Sequence, residues 1–156
     1  LPSIRDTDYE SREAATLKKA ILNKKITMPP HIIDFRAIGE SAIGFISIAE
    51  NNKNIPFEVK RTFWTYYTPE SVVRGHHAHL YTEMILIALN GRIIIETEMP
   101  NGDKQTFCLE QPTQGLYMPP LCWHTMKYSH SAVQLVLAST LYDEKDYIRN
   151  YQDYLK

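Results

Sequence analysis

At 156 residues the chain has the length of one domain and can bury a core of its own. With 44% hydrophobic residues, 22% charged residues and a formal net charge of −1, it has the make-up of an ordinary globule, which excludes a general nucleic-acid or membrane-surface role. No apolar run reaches spanning length and no signal peptide is visible, so a cytoplasmic setting is expected; Cys108 and Cys122 have no ligand-type spacing and read as buried, reduced thiols.

Residues 1–30 differ from the rest. Asp8 or Ser11 can cap a helix running to Lys25, with Ala14, Leu17, Ala20, Ile21 and Leu22 as its apolar stripe. Met28-Pro29-Pro30 ends it, because consecutive prolines stop a helix. This N-terminal helical extension reads either as a packing arm or as a linker to a further domain. The chain begins without Met, as expected of a processed form or a piece of a longer polypeptide.

The domain proper is 31–156, and its pattern is that of strands. Segments 31–36, 43–49, 57–67, 77–80, 83–89, 92–98, 104–109, 115–118, 122–128 and 132–138 are rich in Ile, Val, Thr, Phe and Tyr, with short turns between them. Asn90-Gly91 and Asn101-Gly102 predict hairpins, since both turn residues accept positive φ. A final helix is expected after Asp143, with Tyr147, Ile148, Tyr151, Tyr154 and Leu155 on one packing face. The predicted architecture is all-β: an antiparallel jelly-roll barrel with a helical extension at the N-terminus and a helix at the C-terminus.

Three of the six histidines fall in Arg74-Gly75-His76-His77-Ala78-His79. Alternation with period two puts His77 and His79 on one face of a strand, where two buried imidazoles need partners or a function. His76 points the other way. His124 reads equally as a site-lining or a core residue, and Tyr117 and Trp123 either stack on a ligand or pack the core.

An early His-x-His and a late histidine in a small barrel resemble the cupin pattern, whose second motif Pro119 to His124 also fits. Counting forward from His79 places Glu83 as a fourth ligand beside His77, His79 and His124, a set suited to Fe, Mn, Ni or Zn. Counting back from Gly91 places Met84 there instead. Only one of two neighbouring residues can face inward, and the turn glycine favours Met84, so no metal and no cofactor are expected.

More specifically, the chain resembles the sugar 3,4-ketoisomerases, cupins that act on dTDP-4-keto-6-deoxyglucose in deoxyaminosugar biosynthesis. The resemblance rests on Ile55–Arg61, Arg74–His79, Gly115–Pro120 with Trp123-His124, Leu135–Ser139 and Tyr142–Tyr151, in unbroken order. It implies histidine-mediated proton transfer, with His77 as base and His79 as its neighbour in handling the proton. It also implies a substrate site of Arg74, Lys60, Arg61, Phe63, Tyr67, Met84, Tyr117 and His124, and a homodimer. An imidazole of ordinary pKa about 6.5 suits both directions of transfer, and an Arg fork suits phosphate oxygens.

Three positions depart from the family pattern. Phe63 stands where a tyrosine, thought to be the acid, is common, and Tyr67 is the nearest phenol on the same strand face. Leu80 and Met84 replace a usual Lys and Gln. The alternative readings are a catalytically impaired nucleotide-sugar binding domain, fused to or assisting an acyltransferase, and a metal-dependent cupin enzyme through Glu83.

Overall fold

The computed structural model describes residues 28–156, and the helix expected over 8–25 lies outside them. From the N-terminal side the strands are β1 (His31–Asp34), β2 (Ala37–Glu40), β3 (Gly44–Ser47), β4 (Arg61–Thr65), β5 (Val73–His79), β6 (Met84–Asn90), β7 (Ile93–Glu98) and β8 (Lys104–Leu109). They continue as β9 (Gln114–Met118), β10 (Trp123–Tyr128) and β11 (Val133–Ala138), followed by a 3-10 turn at Glu144–Asp146, β12 (Tyr147–Ile148) and the helix α1 (Tyr151–Tyr154). Two five-stranded sheets form, in the orders β1-β9-β6-β11-β4 and β12-β5-β10-β7-β8, while β2 and β3 pair only with each other. Every pairing between these strands is antiparallel, the jelly-roll arrangement that the strand pattern predicts.

The central strands of the first sheet, β6 and β9, are buried on both faces. Inward, Met84, Leu86, Leu116, Met118 and Val136 pack against Ile93, Ile95 and Met126 of the second sheet. Outward, Ile85, Ile87, Tyr117 and Leu137 are covered by Phe35, Ile55 and Phe57. This double cover explains why β6 reads as an unbroken apolar run rather than an alternation. It also shortens the expected 57–67 strand, because Phe57 and Val59 pack on the sheet's outer face and ladder pairing begins only at the Lys60 amide.

Three sequence expectations are corrected. Asn90-Gly91 does not close a hairpin: β6 belongs to the first sheet and β7 to the second, so Gly91, at φ 70°, carries the chain between layers. Asn101-Gly102 does close one, between β7 and β8. The long terminal helix is replaced by the 3-10 turn, β12 and one helical turn, since backbone pairing of Tyr147 and Ile148 with His79 and Ala78 outweighs helical periodicity. Cys122 is buried as expected, but Cys108 is exposed, on an edge strand with one face to solvent. Among the described residues no helix is long and apolar enough to cross a membrane.

Between β5 and β10 the register slips. His124 faces His77 and Thr125 faces Gly75, leaving His76 as a bulged extra residue. Gly75 and His76 take φ values of 93° and 55° to make it. A Cβ on Gly75 would lie 2.6 Å from the His124 carbonyl oxygen. Gly75→Ala is therefore expected to destabilise the fold by about 2 kcal/mol in urea unfolding, because positive φ and a backbone clash act together; unchanged stability would show that the bulge is not held by this approach.

Candidate active site

The bulge presents residues 73–77 of β5 to the space between the sheets, where a cavity of about 430 Å³ opens. Its two walls differ in chemistry. The second sheet contributes His76, His77 and His79 from β5 and His124 and Met126 from β10. The first contributes Phe63 and Thr65 from β4, Met84 and Leu86 from β6, and Gln134 and Val136 from β11. Arg74 and, from the C-terminal segment, Tyr147 and Arg149 complete the lining.

Three imidazoles cluster on the histidine wall. Ring centroids are 5.0 Å apart for His77 and His79 and 4.5 Å for His77 and His124. Each Nδ1 faces an oxygen: Gly75 O at 3.0 Å for His77, Asp146 Oδ2 at 2.7 Å for His79 and Cys122 O at 3.1 Å for His124. Carbonyl and carboxylate oxygens accept only, so Nδ1 carries the proton in all three rings and each Nε2 keeps a free lone pair in the neutral form. His79 and His124 are 3% and 2% exposed, whereas His77 is more open to the cavity.

Burial lowers the pKa of His77 from 6.5 to about 4, helped by His79 and Arg149 and opposed by the Gly75 carbonyl and Asp146. Burial likewise takes His124 down to about 3, with His77 adding to the effect. Asp146, 2% exposed, accepts from His79, from the Tyr81 amide at 2.9 Å and from the Thr82 hydroxyl. Its burial raises the carboxyl pKa, but these hydrogen bonds outweigh that and hold it below the usual carboxylate range.

The expected site residues divide. Arg74, Phe63, His77, His79, Met84 and His124 meet at the cavity, but Lys60, Arg61, Tyr67 and Tyr117 do not line it. Lys60 is exposed, with its amide bonded to Ala138 O as an extension of the β4–β11 pairing. Arg61 stands behind Phe63, its guanidinium carbon 5.2 Å from that ring. Tyr67 is 86% exposed at φ 55°, past the end of β4 where strand alternation no longer applies. Tyr117 belongs to the outer core and donates to Glu83 Oε1 at 2.6 Å. That bond turns the Glu83 carboxylate away from the histidines, and Met84 occupies the inward position. Among the described residues no group of three or more His, Cys, Asp or Glu is arranged to hold a metal ion.

Asp146, Tyr147, Arg149 and Gln134 escaped the sequence reading. The Tyr147 ring lies 4.4 Å from His79 and 5.1 Å from His77, and the Arg149 guanidinium sits 4.3 Å above it. One signal was available: Asn150 caps α1, accepting from Gln152 N and Asp153 N, so a second cap seven residues after Asp143 argued against one continuous helix.

Residues 28–156 match the family described as FdtA: WxcM-like, C-terminal. A TDP-4-oxo-6-deoxy-alpha-D-glucose-3,4-oxoisomerase from Aneurinibacillus thermoaerophilus is 40% identical over 132 residues, 83% of this chain and 92% of that one. The sugar 3,4-ketoisomerase QdtA from Thermoanaerobacterium thermosaccharolyticum, solved in complex with TDP, is 36% identical with a TM-score of 0.77 over 81% of this chain and 91% of that one. The WlaRB TDP-quinovose 3,4-ketoisomerase from Campylobacter jejuni is 38% identical with a TM-score of 0.76 over 81% and 96% of the two chains.

Asp146→Asn replaces a charged acceptor of three hydrogen bonds with a neutral amide. It is expected to cost about 2–3 kcal/mol in chemical unfolding and to move the His79 proton partly from Nδ1 to Nε2 in imidazole ¹⁵N spectra. An unaltered tautomer would mean that Asp146 does not orient the ring.

Proposed function

The chain belongs to the FdtA family of WxcM-like C-terminal domains, and on that footing we propose that it is a 3,4-ketoisomerase acting on a TDP-linked 4-keto-6-deoxyhexose. The observation that carries this reading is His77: a neutral imidazole with its Nδ1 proton tied to Gly75 O and its free Nε2 on the histidine wall of a cavity that admits a sugar.

The chemistry required is a 1,2 shift of a ketone. A base removes the hydrogen on C3, next to the C4 ketone, leaving an enediolate across C3 and C4. Protonation at C4 and transfer of the hydroxyl proton from O3 to O4 give the 3-ketone, with no net gain or loss of atoms. His77 takes the C3 proton, and the His79–Asp146 pair beside it offers a carboxylate to offset the imidazolium charge. Arg74 at the cavity supplies the positive charge that a pyrophosphate calls for, while Arg149 beside it is ion-paired with Glu144 at 2.6 Å.

A homodimer is part of the same reading. The β2–β3 hairpin exposes Ile38, Ile43, Phe45 and Ile46, with Ile43 80% exposed. A patch of this kind is suited to a second copy.

Incubation with TDP-4-keto-6-deoxyglucose, a 3-aminotransferase and an amino donor is expected to yield the 3-amino sugar; product no faster than the uncatalysed background would sink the proposal. His77→Asn should lower turnover by about 10²–10⁴-fold with TDP affinity little changed. A base works unprotonated, so the rate falls as pH drops through its pKa. With His77 at about 4, kcat/KM should hold its plateau well below pH 6.5. Light scattering should give twice the chain mass, and Phe45→Glu should halve it; a wild-type monomer overturns the dimer.

A further inference from the structure

The wall facing the histidines is apolar except at Thr65 and Gln134. Gln134 is 1% exposed, so its carboxamide has been taken out of water and must be explained. Its nitrogen lies 3.3 Å from Met126 Sδ, and its oxygen accepts from the Tyr128 hydroxyl at 2.9 Å. A thioether can only accept, so nitrogen is the atom that faces sulfur. The oxygen then faces Tyr128, whose one proton is within reach of Gln134 Oε1 at 2.9 Å and of Met126 Sδ at 3.3 Å, and the amide oxygen is the closer and stronger acceptor. Burial raises the Tyr128 pKa to about 12, keeping that proton in place, and the Thr65 side chain is turned to the same phenol.

The amide is thereby fixed in one orientation. One of its N–H groups meets only a weak sulfur acceptor, and the other has no acceptor among the described residues. A buried donor held in advance by a second side chain, on the wall opposite a base, is what a developing oxyanion needs. Among the described residues no carboxylate lines the cavity to compete for it.

We propose that Gln134, oriented by Tyr128, donates a hydrogen bond to the sugar oxygen that gains negative charge when the base on the histidine wall removes a proton. Gln134 is then a catalytic residue and Tyr128 a positioning residue. The proposal rests on the ketoisomerase reading for the identity of the substrate, while the geometry that selects the donor is independent of it.

Two measurements on the full chain test it. In ¹⁵N-labelled protein, the Gln134 side-chain NH₂ pair, assigned by its loss in Gln134→Leu, should shift on titration with TDP-4-keto-6-deoxyglucose and stay in place with TDP alone. In turnover assays Gln134→Leu should lower kcat on the order of 10²-fold with KM changed only a few-fold. Tyr128→Phe, which frees the amide while leaving it present, should lower kcat about tenfold at unchanged KM. Gln134→Leu exchanges a buried polar group for an apolar one of similar volume, and Gln134→Met serves as the second variant if Leu packs poorly. An amide unmoved by the sugar nucleotide, or a Gln134 variant within twofold of wild-type kcat, overturns the proposal. A wild type without turnover whose Gln134 amide still shifts with the sugar nucleotide removes the isomerase reading and leaves the Gln134 contact standing.

Discussion

The buried bond between His79 and Asp146 holds the C-terminal segment against the barrel. A carboxylate 2% exposed is tolerable only because three donors converge on it. Once Asp146 is held there, the following residues lie along the free edge of β5, and Tyr147 and Ile148 pair with His79 and Ala78. The same placement brings Tyr147 against two imidazoles and Arg149 over Tyr147. One hydrogen bond to a buried carboxylate thus orients a histidine, builds a strand and closes a cavity wall.

The cavity has a division of labour that follows from the two sheets. β5 and β10 carry the histidines, aligned across the pair by a bulge that needs a glycine at φ 93°. Burial keeps His77 and His124 neutral, and backbone carbonyls choose their tautomers. The first sheet offers mostly hydrocarbon, because its inward face is also the main core. Into that face one carboxamide is set, and its orientation is imposed by a phenol and a thioether. In the proposed reaction His77 acts as base from one wall and Gln134 as a pre-oriented donor from the other, the arrangement that stabilises a developing oxyanion.

The absence of a phenol at Phe63 looks different in three dimensions. Phe63 does line the cavity, but Tyr67, the nearest substitute along the strand, does not, since the chain leaves the sheet after Thr65. The phenol beside the histidines is Tyr147, which comes from the far end of the chain. Met84 faces inward as expected, but for a different reason. The turn at Asn90-Gly91 joins two sheets rather than closing a hairpin, and it is the burial of Ile85 and Tyr117 on the other face, with Tyr117 holding Glu83, that sets the side.

By itself the sequence determined the all-β architecture, the pairing of His77 with His79 on one face and the membership of Arg74, Phe63, Met84 and His124 in one neighbourhood. The first two rest on period-two alternation, a local property of the chain, and the third is what the family resemblance implies. The tertiary structure alone decided that Tyr117 and Glu83 bond to each other away from the cavity, that Asp146 orients His79, and that Tyr147, Arg149 and Gln134 line the site. Each of these depends on contacts between residues far apart in sequence, and on competition between burial and hydrogen bonding that is settled only when the sheets pack. The C-terminal segment shows the principle most directly. Its apolar spacing suits a helix, and a buried carboxylate together with an open strand edge makes Tyr147 and Ile148 a strand and leaves one helical turn after them.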